Sequence, residues 1–299
     1  MGPLLLVLSA ACFGAMAIFG KLAFAAGVTP GTLLLVRFAL AAAILTAIVL
    51  LRRPAMPVRM SARTVLTAFG LGAFGYALQA GLYFAALQRM DATLLALIFY
   101  VYPLLVTVGA VLLGRDLLTP RRVAALLVAS AGTLLVLLGA GAVSFDVLGA
   151  VLAFGCALTY TAYILVSDTV VRRLPASVLS ALVMTGATLG QAVYAPLAGG
   201  VDLGFGAAGW FWLVCVALVS TVLAMVAFLA GLRRTGPSTA AILSTFEPVV
   251  TAALAGLVLH ETLTPVQYGG GLLVLTAAVV LQLRPVTARR ALVRTKVVV

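Results

Sequence analysis

The chain has 299 residues, 64% of them hydrophobic and only 9% charged, and its mean hydropathy is +1.26. A water-soluble domain carries roughly 25% charged residues, so this composition cannot coat a globule in water, and lipid must be part of the solvent. The net charge of +12 is divided among short clusters between apolar runs, which excludes a basic nucleic-acid-binding face and fits anchoring at a membrane surface.

A membrane helix needs about 20 apolar residues. Ten stretches qualify, at 3–25, 30–51, 64–87, 92–113, 121–140, 147–167, 176–197, 208–232, 237–259 and 266–283. The first, MGPLLLVLSAACFGAMA, ends like a signal peptide but lacks a basic start and continues apolar to Lys21, so it is read as a span. The second carries Arg37 about 10 Å below its outer end at 1.5 Å per residue, where it either snorkels outward or pairs inside. In the third, Tyr76, Gln79 and Tyr83 recur at i, i+3 and i+7 and share one face, which the glutamine turns away from lipid. The third also holds GLGAFG at 70–75. This matches G-x-G-x-x-G but lies inside an apolar helix rather than after a strand, so its glycines are read as packing residues.

The fourth span groups Phe99, Tyr100 and Tyr102 against Pro103, and the sixth adds Thr159, Tyr160 and Tyr163. Tyr194, Tyr268, Trp210 and Trp212 fall near span ends and suit an interfacial aromatic belt. The ninth contains Glu247-Pro248, and Glu247 alone of seven acids lies deep in a span. A carboxylate there is expected to face a cavity or a partner. It is a proton or amine site, or a group satisfied structurally, for instance by Arg37. Pro103 and Pro248 alone of twelve prolines lie deep in spans, and each frees a carbonyl four residues earlier, at Phe99 and Ser244. Such carbonyls are tolerated where they line a cavity or find a partner; a plain packing kink is the competing reading.

Cys12, Cys156 and Cys215 are scattered through apolar segments, and the sole histidine, His260, stands at a helix end. Neither a metal-ligand spacing nor a nucleotide-binding loop is present, so no metal, cofactor or direct ATP drive is expected. One deep carboxylate and one peripheral histidine do not make a membrane-embedded catalytic centre.

Basic residues set the topology. Sixteen, in the clusters Arg52–Arg63, Arg115–Arg122, Arg172–Arg173, Arg233–Arg234 and Arg284–Lys296, fall on one side of a ten-span chain, against Lys21 and Arg89 on the other. Both termini are therefore expected in the cytoplasm. Sliding the chain by 145 residues brings Arg89 onto Arg234, Pro103 onto Pro248 and Thr119-Pro120 onto Thr264-Pro265. The expected architecture is an all-α membrane protein of ten transmembrane helices in two inverted five-helix repeats, residues 1–142 and 143–284, followed by a cytoplasmic tail at 285–299. Inverted repeats with a midplane site between the halves are the plan of secondary transporters.

The stretch 234–283, with its mid-helix Glu-Pro and then HETLTPVQYGGGLLVL, resembles the second repeat of the EamA family in the drug/metabolite transporter superfamily. His260, Glu261, Leu263, Thr264, Gln267 and Gly270 occupy its signature, with His260 in place of the usual glycine; Arg37 fits the family's second-helix arginine, and RDLLTP echoes the signature loosely. The resemblance implies an exporter of small metabolites in a bacterial inner membrane, most similar to aromatic amino acid exporters of the YddG type. It implies a central cavity lined by spans 1, 3, 4, 6, 8 and 9.

The expected partners are a small-molecule substrate and membrane lipid, not nucleic acid, and the chain is expected to work as a monomer. The candidate substrate contacts are Tyr76, Gln79, Tyr83, Phe99, Tyr100, Tyr102, Thr159, Tyr160, Tyr163 and Ser244; Pro103, Glu247, Pro248 and Arg37 are candidates for gating or structure. Multidrug or cationic efflux is the alternative to export of aromatic or neutral amino acids.

Overall fold

The computed structural model describes residues 1–52, 61–87, 89, 95, 98–117, 119–138, 146–195, 200–259 and 264–282. The expectations for Arg53, Arg59, His260, Glu261, Leu263, the boundary at 142–143 and the tail lie outside these residues. The described chain is helical throughout, with no strand. We number its helices α1 (Gly2–Ala25), α2 (Pro30–Arg52), α3 (62–87), α4 (Tyr102–Leu112), α5 (Pro120–Leu138), α6 (Val147–Val170), α7 (Ala176–Tyr194), α8 (Ala207–Thr235), α9 (Pro237–Ser244), α10 (Glu247–Leu259) and α11 (Pro265–Gln282).

Helix starts follow local chemistry. The Ser61 hydroxyl accepts from Thr64 N at 3.2 Å, and the Asp146 carboxylate accepts from Gly149 N at 2.6 Å, each satisfying an orphan donor of the first turn. Between α8 and α9 the chain turns on Gly236 alone, at φ +83°, a conformation that strains any residue with a Cβ; Pro237 then restarts the helix where no N–H is needed. Among the described residues, six helices are long and apolar enough to cross a membrane: α1, α2, most of α3, α6, α7 and α8. Large apolar residues such as Leu66, Phe74, Val151 and Phe211 point outward, while Arg37, Asp168, Gln191 and Ser9 are buried. This inversion of the soluble pattern is what a lipid solvent selects.

Two helices change pitch in mid-course. α3 is π-helical over Leu71–Tyr76 and α8 over Leu218–Leu223. The sequence predicts plain helices here, because a π segment leaves the period of apolar residues almost unchanged. GLGAFG is this first π segment. A Cβ on Gly72 would overlap the Val183 carbonyl of α7, which bears out the packing reading, whereas Gly70 has no neighbour within 4 Å.

The prolines differ from expectation more instructively. At Pro103 and Pro248 the α-helical hydrogen bonding lapses into i→i+3 bonds, with Val101 N on Ile98 O and Phe246 N on Leu243 O. The backbone turns at Tyr100-Val101 and again at Thr245-Phe246, and each proline is the second residue of a fresh helix. A ring in the first turn costs no hydrogen bond, so a break and restart is cheaper than an interior kink.

α5 packs most extensively on α11, and α2 on α7. α1 lies along α8 and against α9 and α10, while α6 lies along α3 and against α4. α1 and α8 are antiparallel: Gly2 meets Arg234 and Thr235, Ser9 bonds Ala224 O at 2.8 Å, and Phe19 stacks on Trp212 at 6.0 Å. One end of the molecule thus gathers the N-terminus with Arg233 and Arg234, and the other brings Thr32 onto Asp202.

Candidate functional site

The aromatic residues from α3, the segment before α4, and α6 converge. Tyr76, the last residue of the π segment, has its ring 5.5 Å from that of Tyr163 on α6. Tyr163 stacks on Tyr160 at 6.0 Å, and Tyr160 meets Tyr102 edge-on at 4.9 Å. Phe99 sits at the hub, 5.0 Å from Tyr102, 5.6 Å from both Tyr100 and Tyr160, and 6.0 Å from Tyr83. Offset and edge-on pairs of this kind contribute about 0.5–1.5 kcal/mol each beyond area. The turn at Tyr100-Val101 lets Phe99, Tyr100 and Tyr102 all join one cluster, which a straight helix would forbid.

Burial divides the cluster. Tyr102 and Tyr163 are 1% exposed and act as its frame, with Tyr76 and Phe99 nearly as enclosed. Tyr83, Tyr100 and Tyr160 keep open surface. Gln79 faces α6, where its amide donates to Cys156 Sγ at 3.4 Å. Thr159 and Ser244 spend their hydroxyl protons on their own helices, to Gly155 O at 2.8 Å and Ala240 O at 2.9 Å. The Tyr163 hydroxyl donates to Met225 of α8 at 3.3 Å.

Glu247 enters from α10. It opens that helix, beside the turn at Thr245-Phe246, and its half-buried carboxyl lies near the Tyr100 phenol. It also lies within electrostatic range of Tyr76, Tyr83, Tyr102 and Tyr160. Ser244 meets Tyr102 across the same junction. Gly14 of α1 seals the back: a Cβ there would lie 2.8 Å from Glu247 O, and Thr251 donates to Gly14 O at 3.1 Å.

Arg37 neither snorkels nor pairs with Glu247. It is 3% exposed, its Nη1 donates to the Met16 thioether at 2.7 Å, and its guanidinium lies 4.4 Å over the Phe38 ring. Its buried Nε has no partner among the described residues. Phe38 in turn reaches Tyr76 at 5.4 Å. Phe38, Met225 and Gly14 escaped sequence reasoning because in a chain this apolar each looks like lipid-facing or packing filler.

An open cleft of about 700 Å³ lies away from the tyrosines, at the loop before α5, where Asp116 pairs with Arg122. It reaches Thr239 on α9.

The EamA-like transporter family profile matches residues 1–138 and 147–283. A Bacillus subtilis (strain 168) protein named "Uncharacterized transporter YcbK" is 28% identical over 276 residues, which span 90% of this chain and 88% of that one. A crystal structure superimposes with a TM-score of 0.81 over 93% of this chain and 97% of its own, at 22% identity, a likeness of fold alone. With its apolar helices, buried polar residues and a profile match over nearly its whole length, the chain is a multi-pass membrane protein that belongs to the EamA-like transporter family.

Proposed function

We propose that this protein is a secondary transporter that exports small amphipathic metabolites, above all aromatic or neutral amino acids, by alternating access. The observation that carries the reading is the convergence of Tyr83, Tyr100 and Tyr160 with Glu247 where two broken helices meet. Flat amphipathic faces suit an aromatic or aliphatic side chain, and the polar groups among them suit a charged head. Transport rather than catalysis follows from the family and from a site that offers binding groups.

The reading includes ten spans in two inverted five-helix repeats, 1–142 and 143–284. Its support is the mirrored packing: α1 on α8 answers α6 on α3, and α1 on α9–α10 answers α6 on α4. A shift of 145 residues carries the turn Tyr100-Val101 onto Thr245-Phe246, and the π segments fall in matching helices. The two profile matches fall within the same halves. We further infer a monomer in a bacterial inner membrane, with both termini cytoplasmic and the cleft by Arg115–Arg122 opening on that side. Pro103 and Pro248 serve gating, as restart points for helices whose two pieces can change angle.

One observation favours a second reading, efflux of cationic compounds: tyrosine faces around a single acid also attract cations. Counterflow in proteoliposomes separates the two. Phenylalanine should compete better than lysine or a dicationic drug; the reverse order rejects amino-acid export.

A further inference from the structure

Helix α9 begins without a cap of its own. Gly236 stands at its N-cap, and no side chain there bonds the first turn. Pro237 has no N–H, and Ala240 N bonds Gly236 O at 3.1 Å, which leaves the N–H groups of Ser238 and Thr239 as orphan donors. Ser238 is 0% exposed, and its hydroxyl has no partner among the described residues. An unmet acceptor lies at the same junction. The side chain of Asp116, in the segment joining α4 to α5, is 10% exposed. Its Oδ1 accepts from the Arg122 guanidinium, while its Oδ2 is buried without a hydrogen bond, 3.8 Å from where a Cβ on Gly236 would stand. Beside them runs the open cleft of about 700 Å³, lined by Gly114–Leu117, Thr119 and the start of α5 and, on α9, by Thr239.

We propose that the segment from Gly114 to Thr119 is a strap that closes over this cleft onto α9, with Asp116 Oδ2 supplying the cap that α9 lacks. The contact seals the arginine-bearing end of the pathway. The inference rests on the alternating-access reading above and adds to it a part that moves. Gly114 is the hinge: its φ is +65°, and a Cβ built on it meets nothing within 4 Å. The far end of the strap is fixed, since Thr119 Oγ1 accepts from Arg122 N at 3.3 Å and caps α5. Arg122, in the first turn of α5, holds Asp116 in position. Closure gives the buried carboxylate oxygen the donors it is missing, at a helix N-terminus where negative charge is favoured. It also joins two packed groups, because α4 lies against α6 while α8 and α9 lie against α1. α9 is eight residues, about 12 Å, and its other end is Ser244, just before the turn that leads to Glu247. The strap and the tyrosine site thus act on opposite ends of one short rod.

The test places Leu117→Cys and Thr239→Cys, one on the strap and one on α9, in the full-length protein without its three native cysteines. Mild oxidation should join them, and the joined protein in proteoliposomes should lose phenylalanine counterflow by at least about tenfold and regain it with dithiothreitol. In the same background Asp116→Ala should slow the cross-linking about fivefold, the typical worth of a cap. Asp116→Asn should stay within about twofold of the parent, because asparagine caps as well as aspartate although it carries no charge for Arg122.

A pair that never cross-links, or a cross-linked protein that transports at the parent's rate, overturns the strap. Alanine and asparagine slowing the cross-link equally, or neither slowing it, overturns the cap. The parent cross-link and its reversal need no change at Asp116, so they judge the strap even where Asp116→Ala does not fold. The cross-linking rates need no substrate, so a parent without phenylalanine counterflow ends the amino-acid reading alone, and the rates still decide whether Asp116 closes the strap.

Discussion

Gly72→Ala probes how α3 is held. A Cβ at this position would overlap the Val183 carbonyl oxygen and lie 2.7 Å from its carbonyl carbon and 2.9 Å from Ala187 N, where ordinary contact begins at 3.4 Å. These are backbone atoms, so no side chain can rotate away and α3 must separate from α7 by several tenths of an ångström at least. Overpacking of this kind costs about 1–3 kcal/mol. Separation also stretches the bond from Gln191 Nε2 to Ala77 O, now 3.1 Å, for about a further 1 kcal/mol. Alanine's better helix propensity returns roughly 0.5–1 kcal/mol, leaving a net loss of about 2–3 kcal/mol. At about 2–4 °C per kcal/mol for a protein approaching this size, the midpoint in a detergent melt should fall by about 5–10 °C. Gly70→Ala, two residues away with nothing within 4 Å, is the control and should be unchanged or slightly raised. If the two variants melt together, the close approach of α3 and α7 is not a source of stability and the reasoning fails.

Gly14→Ala should be the counterpart in α1, losing both stability and transport because its Cβ meets Glu247 O at 2.8 Å, while Gly20→Ala, with no neighbour within 4 Å, should be silent in melts and counterflow. Tyr83→Ala combined with Tyr100→Ala should abolish phenylalanine counterflow while the protein elutes as folded, because both residues keep open surface; unchanged transport would remove them from the pathway. In a background without Cys12, Cys156 and Cys215, an impermeant thiol reagent applied outside should label Val201→Cys but not Arg115→Cys. Labelling of both from outside would end the ten-span topology.

How much was legible depended on which physical signal each feature leaves. Spans are written in composition, so α1, α2, α6, α7 and α8 emerge within a few residues of expectation. The face shared by Tyr76, Gln79 and Tyr83 was readable because helical period alone puts them together, and in the structure all three turn toward α6 or the segment before α4. The fate of Arg37 was not readable. Outward snorkelling and inward burial differ by a rotation of α2, and that rotation is set by packing on α7 and α8, for which this sequence has no local marker. The two helix breaks were half legible. Proline marked the place, but not the partners met there, Tyr102 beside Ser244 and Gly14 against Glu247 O.

Backbone accounting then sorts the polar residues of the interior into two groups. Near several departures from α geometry among the described residues, a side chain bonds a nearby carbonyl, as hydrocarbon favours. Thr221 bonds Val216 O at 3.0 Å across the π segment of α8, and just past the two π segments Gln191 holds Ala77 O and Ser9 holds Ala224 O. At the two restarts Thr107 bonds Pro103 O at 2.8 Å and Thr251 bonds Glu247 O at 3.1 Å. These residues hold the broken helices in shape, and their substitution should cost stability whatever the substrate. The Arg37 and Glu247 side chains stand outside that group: the Arg37 guanidinium donates to the Met16 thioether and lies over the Phe38 ring, and Glu247 opens α10 beside the Tyr100 phenol.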